Sequence, residues 1–303
     1  MMCNMYEINR CLHVACFIAL LGSAALVQGD QSWPSFQGPR GSGATTERLP
    51  QELGGKNISW ERMLPGYGLS TPVVHSNKVF ITCSSGPEQD RLRVLCIDGT
   101  KGQSLWERQF WATGRTMCHE KTSVAAPTPC TDGVRIYALF SSNDLVCLDF
   151  DGNLIWLRGI TADYPNVSNS LGMASSLVVT DGVVVAQVEN DSESYAIGID
   201  AVTGKNIWKI EREKSANWTS PLVLSPGLVG LQSKSGIDAV DTADGHFLWK
   251  YDGGASTIPS SCRKGNVLFV PSKGLTALAY NLSSQKSPKQ LWSSSRLSPG
   301  TSS

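Results

Sequence analysis

The chain has 303 residues, and its 26 lysine and arginine residues balance its 26 aspartate and glutamate residues, so the formal net charge is zero. A balanced chain has no global field to attract nucleic acid or an anionic membrane, which argues against binding either through charge. Hydrophobic residues make up 41% of the chain and charged residues 17%, a composition that favours a β-rich domain with a substantial core.

The first 29 residues have the pattern of a cleavable signal peptide. Arg10 precedes a nearly uncharged apolar stretch over residues 11–27, and small or modest side chains lead up to Gly29. We therefore predict cleavage after Gly29, a secreted or periplasmic mature protein, and no integral membrane association after cleavage. The apolar stretch is short for a membrane span, which leaves an uncleaved anchor as the alternative. No lipobox precedes Cys16, so a lipid anchor is not expected.

Six tryptophans recur along the mature chain at intervals of 46, 50, 52, 41 and 43 residues. A period in this range is typical of propellers and solenoids, in which one supersecondary unit is repeated. The six residues are Trp60, Trp106, Trp156, Trp208, Trp249 and Trp292.

Most of these tryptophans end a motif in which an apolar strand runs into aspartate, then a turn with glycine, then a second strand. The aspartate can accept backbone N–H groups of the turn, and the glycine supplies a positive φ. The second strand carries the tryptophan onto the sheet face, where its large ring is buried. We predict a structural docking role for these residues: Asp98, Gly102, Trp106, Asp149, Gly152, Trp156, Asp200, Gly204, Trp208, Asp241, Gly245, Trp249 and, in a longer degenerate copy, Trp292.

A cluster of small residues and proline recurs upstream of each motif and leads into an apolar strand, a tight turn and a second apolar strand. Each repeat therefore reads as four antiparallel strands, which is a propeller blade. We predict an all-β propeller with blades at residues 69–110, 123–160, 172–212, 218–252 and 256–294.

The corner Asp-x-x-Thr-Gly-Lys-x-x-Trp, read at residues 200–208, resembles the docking motif of the pyrroloquinoline-quinone-type (PQQ-like) propeller repeat. The resemblance runs from about Trp60 to the C-terminus, and the N-terminal segment 30–56, with its run Trp-Pro-Ser-Phe-Gln-Gly-Pro-Arg, resembles the start of secreted bacterial members. That superfamily includes quinoprotein alcohol dehydrogenases and the BamB-like scaffold of outer-membrane assembly. The resemblance implies the fold and leaves the branch open.

The number of blades raises a question within the repeat region 57–303. Residues 57–64 read as an orphan outer strand without partners before it, and residues 298–303 read as the start of a further blade. Members of this family usually close with seven or eight blades. We therefore expect a propeller truncated from that number, with a compact six-bladed variant as the alternative. Open edges would favour self-association or recruitment of a partner.

Six cysteines remain after the predicted cleavage, and most lie in or beside apolar strand segments. A buried free thiol behaves there as a small hydrophobe, so we expect mostly free cysteines. An exported protein with an even count also admits disulfides, and Cys118 with Cys130 is the first pair to test. Adjacent cysteines, which many quinone-dependent dehydrogenases carry over the cofactor, do not occur.

Functional residues are expected in the loops on one propeller face. Only one dense polar cluster there contains a titratable histidine, and an ordinary solvated surface is the alternative for it. We predict as candidate ligand or partner loops the residues Arg115, His119, Glu120, Lys121, Asp163 and Tyr164.

Two functions from different classes fit these patterns. The first is a non-catalytic extracytoplasmic scaffold that presents loops to a protein or polymer partner and has no catalytic residues, cofactor or metal. The alternative is a PQQ-dependent oxidoreductase with PQQ and calcium near the propeller axis. That alternative needs a Glu/Asn/Asp calcium set and an arginine over the quinone, and neither can be assigned in this sequence.

Overall fold

The computed structural model describes residues 32–39, 41–46, 48–52, 54–55, 57–168, 171–282 and 286–299. The predicted signal peptide and residues 300–303 lie outside these ranges. No helix among the described residues has the length and apolar character needed to cross a bilayer.

The described residues form 21 strands and one four-residue helix. In chain order these are β1 Ser32–Trp33, β2 Val73–His75, β3 Lys78–Ser85, β4 Arg91–Asp98, β5 Ser104–Trp111, β6 Cys130–Thr131, β7 Arg135–Leu139, β8 Asp144–Asp149, β9 Leu154–Gly159, α1 Ile160–Asp163, β10 Val178–Thr180, β11 Val183–Val188, β12 Tyr195–Asp200, β13 Asn206–Glu211, β14 Leu222–Ser225, β15 Leu228–Ser233, β16 Gly236–Asp241, β17 Phe247–Tyr251, β18 Cys262–Lys264, β19 Val267–Pro271, β20 Leu275–Ala279 and β21 Lys289–Ser294.

The strands form five antiparallel sheets in which neighbours in sequence are neighbours in space. Blade 1 contains β2–β5 with β1 added at its inner edge, and blades 2 to 5 contain β6–β9, β10–β13, β14–β17 and β18–β21. The predicted fold class, an all-β propeller of four-stranded antiparallel blades, is confirmed. Turns after the first and third strand of each blade lie at one end, the lower face. Loops after the second and fourth strand lie at the other end, the upper face.

The core consists of four apolar layers, one between each pair of successive blades. Because apolar layers cover both faces of blade 3, all six residues of its second strand, Val183–Val188, are buried. A strand covered on both faces has no reason to alternate apolar with polar residues.

The predicted orphan strand at residues 57–64 is wrong as secondary structure, because the segment has no strand assignment. A strand needs a hydrogen-bonded neighbour, and no described strand pairs with this segment. Instead, side chains hold it against blade 1. The Trp60 Nε1 donates to the Gly99 carbonyl at 2.7 Å, and Arg62 donates to the Gly102 carbonyl at 3.1 Å.

An N-terminal stretch crosses the inner edges of the blades near the lower face; we call residues 32–39 and 41–46 the axial strap. It begins as β1, antiparallel to β2 of blade 1. The Pro34 carbonyl then accepts the Thr131 amide of blade 2 at 2.9 Å, and the Gly41 carbonyl accepts the Arg263 amide of blade 5 at 2.9 Å. The strap therefore ties the first blade to the last.

All six cysteines among the described residues are free thiols, which fits the expectation of core cysteines. The Cys118–Cys130 disulfide does not form. Cys130 is buried in β6, whereas Cys118 lies in the upper-face loop that precedes blade 2. Burial raises the pKa of the Cys83 and Cys96 thiols to about 11, so both stay protonated at neutral pH.

Candidate functional site

The predicted corners form tight turns closed by the aspartate. In blade 1, the Asp98 Oδ1 accepts the amides of Thr100 and Lys101 at 2.9 and 2.7 Å. The hydrogen bond from the Lys101 amide is the main cause that lowers the pKa of Asp98. Gly102 follows with a φ of +67°, a conformation that glycine adopts without strain. Equivalent glycines at 152, 204 and 245 also have positive φ.

The docking tryptophans of blades 1 to 3 pack against the corner of the next blade rather than their own. The Trp106 Nε1 of blade 1 donates to the Phe150 carbonyl of blade 2 at 2.9 Å. Its ring lies so close to Gly152 that an added Cβ there would be 2.7 Å from Trp106 Cδ2. The same contact recurs for Trp60 on Gly102, Trp156 on Gly204 and Trp208 on Gly245.

The last two tryptophans depart from this pattern. Trp249 is buried, but its Nε1 has no hydrogen-bond partner among the described residues. The blade 5 corner that would receive it is the degenerate copy, without the Asp/Gly turn of the other blades. Trp292 lies on blade 5, and no described blade follows it.

An arginine two residues after three of the tryptophans completes the contact with the next blade. Arg62, Arg108 and Arg158 donate to the carbonyls of Gly102, Gly152 and Gly204 at 3.1, 2.6 and 2.9 Å. Sequence reasoning missed this role, although the signal was present as a repeated Trp-x-Arg. The corners and their arginines therefore join successive blades.

A chain of hydroxyls links the inner ends of the blades. In blades 1 to 4, the amide two residues before the innermost strand donates to the hydroxyl at the equivalent position of the next blade, at 2.9 to 3.1 Å. The chain runs through Thr71, Thr128, Ser176, Ser220 and Ser260. Sequence analysis noted these small-residue clusters only as strand starts.

The predicted loop residues do not form one site. Arg115, His119, Glu120 and Lys121 are exposed in the loop before blade 2. Among the described residues, His119 forms two hydrogen bonds within its own loop: its Nδ1 accepts the Lys121 amide at 3.1 Å, and its carbonyl accepts the Thr122 amide at 2.9 Å. A third bond reaches the loop before blade 3, where the His119 amide donates to the Leu171 carbonyl at 3.1 Å.

Asp163 and Tyr164 belong to a different region, on the outer side of blades 2 and 3. Asp163 forms an ion pair with Arg158. Tyr164 accepts a hydrogen bond from Asn206 at 2.6 Å and packs against Tyr195 in a tilted arrangement with ring centroids 4.4 Å apart. Neither residue has a described contact with the His119 loop, so the two halves of the predicted site are separate.

A surface that the sequence did not reveal lies at the inner part of the upper face. The loops before successive blades bond to one another: Leu69 to Ala125, His119 to Leu171, and Trp218 to Thr257, at 2.8 to 3.2 Å. Together they display apolar side chains that are exposed or half-buried. We call this set the upper axial surface; it consists of Leu69, Met117, Leu171, Trp218 and Ile258.

Trp218 is held in this surface by bonds at both ends. Its amide donates to the Thr257 carbonyl of blade 5 at 2.8 Å, and its Nε1 donates to the Gly172 carbonyl before blade 3 at 2.9 Å. The neighbouring Asn217 is buried, and its Nδ2 donates to Glu189 and to the Gln232 carbonyl at 2.8 and 2.7 Å.

Beneath this loop lies a buried ion-pair cluster between blades 3 and 4. The Arg212 Nε is 2.6 Å from a Glu189 carboxylate oxygen, and the side chains are only 4% and 1% exposed. Arg212 also pairs with Asp238. Burial raises the pKa of Glu189, and the charge of Arg212 opposes that shift. The cluster fixes Asn217, and with it the position of Trp218.

Sequence comparison identifies the family. Residues 54–251 and 167–296 match the family model described as outer membrane protein assembly factor BamB. The chain belongs to this family. The resemblance inferred from the docking corners is thereby confirmed, because the matching family model and the curated relatives are BamB-like proteins.

Two curated BamB family relatives are similar at the same level. The outer membrane protein assembly factors BamB of Moranella endobia and Yersinia pestis are each 22% identical to this chain over 232 residues. The alignments cover 63% of this chain and 56% and 55% of the relatives. The chain thus spans little more than half the length of these relatives.

A solved structure with the same fold is the quinohemoprotein alcohol dehydrogenase from Comamonas testosteroni. It superposes with a TM-score of 0.57 at 15% identity, covering 82% of this chain and 46% of the dehydrogenase. At that identity the similarity concerns the fold alone.

For this BamB family member, the binding of PQQ and calcium by the alternative function stays a prediction. The residues two positions before the innermost strands carry hydroxyl groups, such as Ser176 and Ser220. Calcium prefers carboxylate oxygens. No group of three or more His, Cys, Asp or Glu residues in the described ranges could hold a metal ion. We therefore derive no catalytic step through these cofactors.

Proposed function

We propose that this protein is a non-catalytic extracytoplasmic scaffold that holds a protein partner at the upper axial surface. The carrying observation is that loops bonded to one another at the inner upper face each carry apolar side chains that are exposed or half-buried. Large apolar residues on a fixed backbone are what partner-binding surfaces use as anchors.

The chemistry around the cluster supports this proposal. Arg115, His119 and Lys121 are exposed beside Met117 and supply a polar, hydrated margin. An apolar centre with a polar margin is the usual composition of a protein interface. Because the loops are already bonded to one another, little conformational entropy is lost when a partner binds.

Family membership supports a partner in outer membrane protein assembly, since the matching family and relatives are named for that role. The predicted signal peptide over residues 1–29 supports export, and we propose the periplasm as the location. This chain covers only about half the length of its relatives. The partner and the location are therefore proposals for the whole protein.

Site-specific photo-crosslinking in the native cell tests the partner proposal. A photoreactive amino acid is introduced at Met117 or Leu171 on the upper axial surface. Matched controls carry it at Val134 or Val202, exposed apolar residues of lower-face turns. We expect crosslinks to an outer membrane assembly protein from the first pair only. Equal products from the control positions, or none from either pair, would refute a binding role of this surface.

Absorbance and thermal shift, with and without PQQ plus Ca²⁺, test the alternative function on the same purified protein. We expect no quinone spectrum and an unchanged melting temperature. A quinone spectrum together with stabilisation by several degrees would show binding to the folded state and would replace the scaffold proposal with a quinoprotein.

A further inference from the structure

The side chain of Gln232, on strand β15 of blade 4, is buried and uses every hydrogen-bonding position of its amide group. Its Nε2 donates to the carbonyls of Ser256 and Pro259 at 2.6 and 2.9 Å. Its Oε1 accepts the amide and the hydroxyl of Ser261, both at 2.7 Å. A glutamine amide offers two donors and two acceptor sites, so all four are satisfied. The loop into blade 5, which carries Ile258 of the upper axial surface, is thus held at three residues by one side chain.

The blade architecture does not require a polar residue at this position. Leu139 of blade 2 occupies the equivalent position, because both residues lie two positions beyond the partner of the first residue in the innermost strand. Leu139 is fully buried, and its side chain has no polar atom. Packing alone can therefore fill the position. The four hydrogen bonds of the Gln232 side chain all serve the loop that they reach, since a buried polar group needs such partners.

The main chain of the same residue holds the neighbouring loop of the surface. The Gln232 carbonyl accepts the Asn217 Nδ2 at 2.7 Å, and Asn217 directly precedes Trp218. The Trp218 amide donates to the Thr257 carbonyl at 2.8 Å, within the loop that the Gln232 side chain holds. The Trp218 Nε1 extends this series to the Gly172 carbonyl before blade 3, at 2.9 Å. Gln232 therefore fixes both sides of the bond that joins the two loops.

We infer that Gln232 is a positioning residue of the upper axial surface. It sets the place of Trp218 relative to Ile258 and, through the Trp218 indole, the place of Leu171. Because Gln232 is only 1% exposed, it acts through these residues and does not touch a partner. Loops that are ordered in advance lose less conformational entropy on binding. The inference rests on the function proposed for this surface, and it identifies the residue that orders the surface for binding.

Hydrogen exchange of the purified mature protein tests the positioning role without any partner. The variant Gln232→Leu installs the side chain found in blade 2, and we expect the Trp218 amide to exchange about tenfold faster, because the loop that carries its acceptor loses four bonds. Amides of β16, in the same blade, should keep their protection within about threefold. Equal acceleration of β16 and Trp218 would show that Gln232 only stabilises blade 4, and unchanged exchange at Trp218 would also overturn the inference.

The matched control is Gln187→Leu, at the equivalent position of blade 3. Gln187 is also 1% exposed, but its Nε2 donates to the Gln232 carbonyl at 2.7 Å and not to the loop into blade 5. We expect the Trp218 amide to exchange in this variant as in the wild type. If Gln232→Leu does not fold, Ser261→Ala removes only the hydroxyl bond to the Gln232 Oε1, and it should accelerate exchange at Trp218 about threefold.

Photo-crosslinking from Leu171 in the native cell extends the test to the partner. In the Gln232→Leu background we expect the yield to fall about fivefold, although every side chain of the upper axial surface is retained. The Gln187→Leu background should crosslink like the wild type. An unchanged yield with Gln232→Leu would overturn the inference and leave the proposed partner binding intact. No crosslinks from the wild type would instead refute partner binding, and the exchange rates would then decide alone whether Gln232 orders these loops.

Discussion

At the scale of single residues, glycine at a docking corner meets two separate demands. Gly152 has a φ of +82° and lies under the Trp106 ring, whereas Gly182 has a φ of +75° with nothing within 4 Å of an added Cβ. Comparing alanine at the two positions therefore separates the energetic cost of the left-handed backbone from the cost of the steric clash.

We predict that Gly182→Ala lowers the free energy of unfolding by about 1–2 kcal/mol, the cost of a left-handed residue with a Cβ. Gly152→Ala should cost about 1–3 kcal/mol more, because the methyl group also displaces the Trp106 ring. Urea unfolding of both variants measures the difference. Equal losses would show that the tryptophan contact has no energetic weight.

The corner aspartates predict a pH dependence. The pKa of Asp149 is lowered, first by the hydrogen bond from the Asn153 side chain and then by backbone amides. A lowered folded-state pKa gives stability that is present above the unfolded value near 4 and is lost as pH falls through the folded value. We expect Asp149→Asn to lower the melting temperature at pH 7 and to approach the wild type below pH 4. Asp252→Asn, at an exposed carboxylate, is the control; an equal effect there would contradict the prediction.

Local sequence patterns predicted the corner but not its partner. Asp, Gly and Trp lie within 11 residues of one another, so their spacing is readable by eye. The contact of Trp106 with Phe150 spans 44 residues and crosses between blades. Nothing in one repeat indicates which neighbouring repeat a ring will reach, because that depends on how the sheets stack.

At the scale of elements, the cluster of Arg212, Glu189 and Asp238 joins strands of blades 3 and 4. We predict that Arg212→Met costs about 3–5 kcal/mol in urea unfolding, because it leaves the Glu189 carboxylate buried without its cation. Adding Glu189→Gln should recover much of this loss, since the amide still accepts from Asn217 without a charge.

The control for this prediction is the surface pair of Lys209 and Glu211, in which the glutamate is largely exposed. Glu211→Ala should cost less than about 1 kcal/mol, as water screens exposed ion pairs. A loss for Arg212→Met no larger than this would show that the buried cluster adds nothing to the packing of blades 3 and 4.

Elements were predicted well where they repeat and poorly where they occur once. The strands of each sheet follow from alternating turns and apolar runs. The segment around Trp60 resembled a strand by composition, yet it lacks a partner and is fixed by side chains. The upper axial surface also escaped prediction, because Leu69, Met117 and Ile258 come from three separate loops that only the arrangement of the blades brings to one face.

At the scale of the whole molecule, each blade contacts only its neighbours and the strap, so stability is distributed unevenly along the arc. Among the described residues, blade 5 packs against one blade rather than two, and the Trp249 Nε1 that faces it has no hydrogen-bond partner. We predict that amides of β19 exchange with deuterium faster than those of β11 in blade 3. Equal protection of the two strands would indicate that the blades unfold together.

The axial strap has a consequence for the order of events during synthesis. Its Gln37 side chain bonds the carbonyl of Ser261, a residue made 224 positions later. The segment that leaves the ribosome among the first therefore reaches its final contacts among the last, after five blades exist to receive it. Contacts so distant in sequence are slow to form. We therefore expect the docking of this segment to be the last and rate-limiting step of folding.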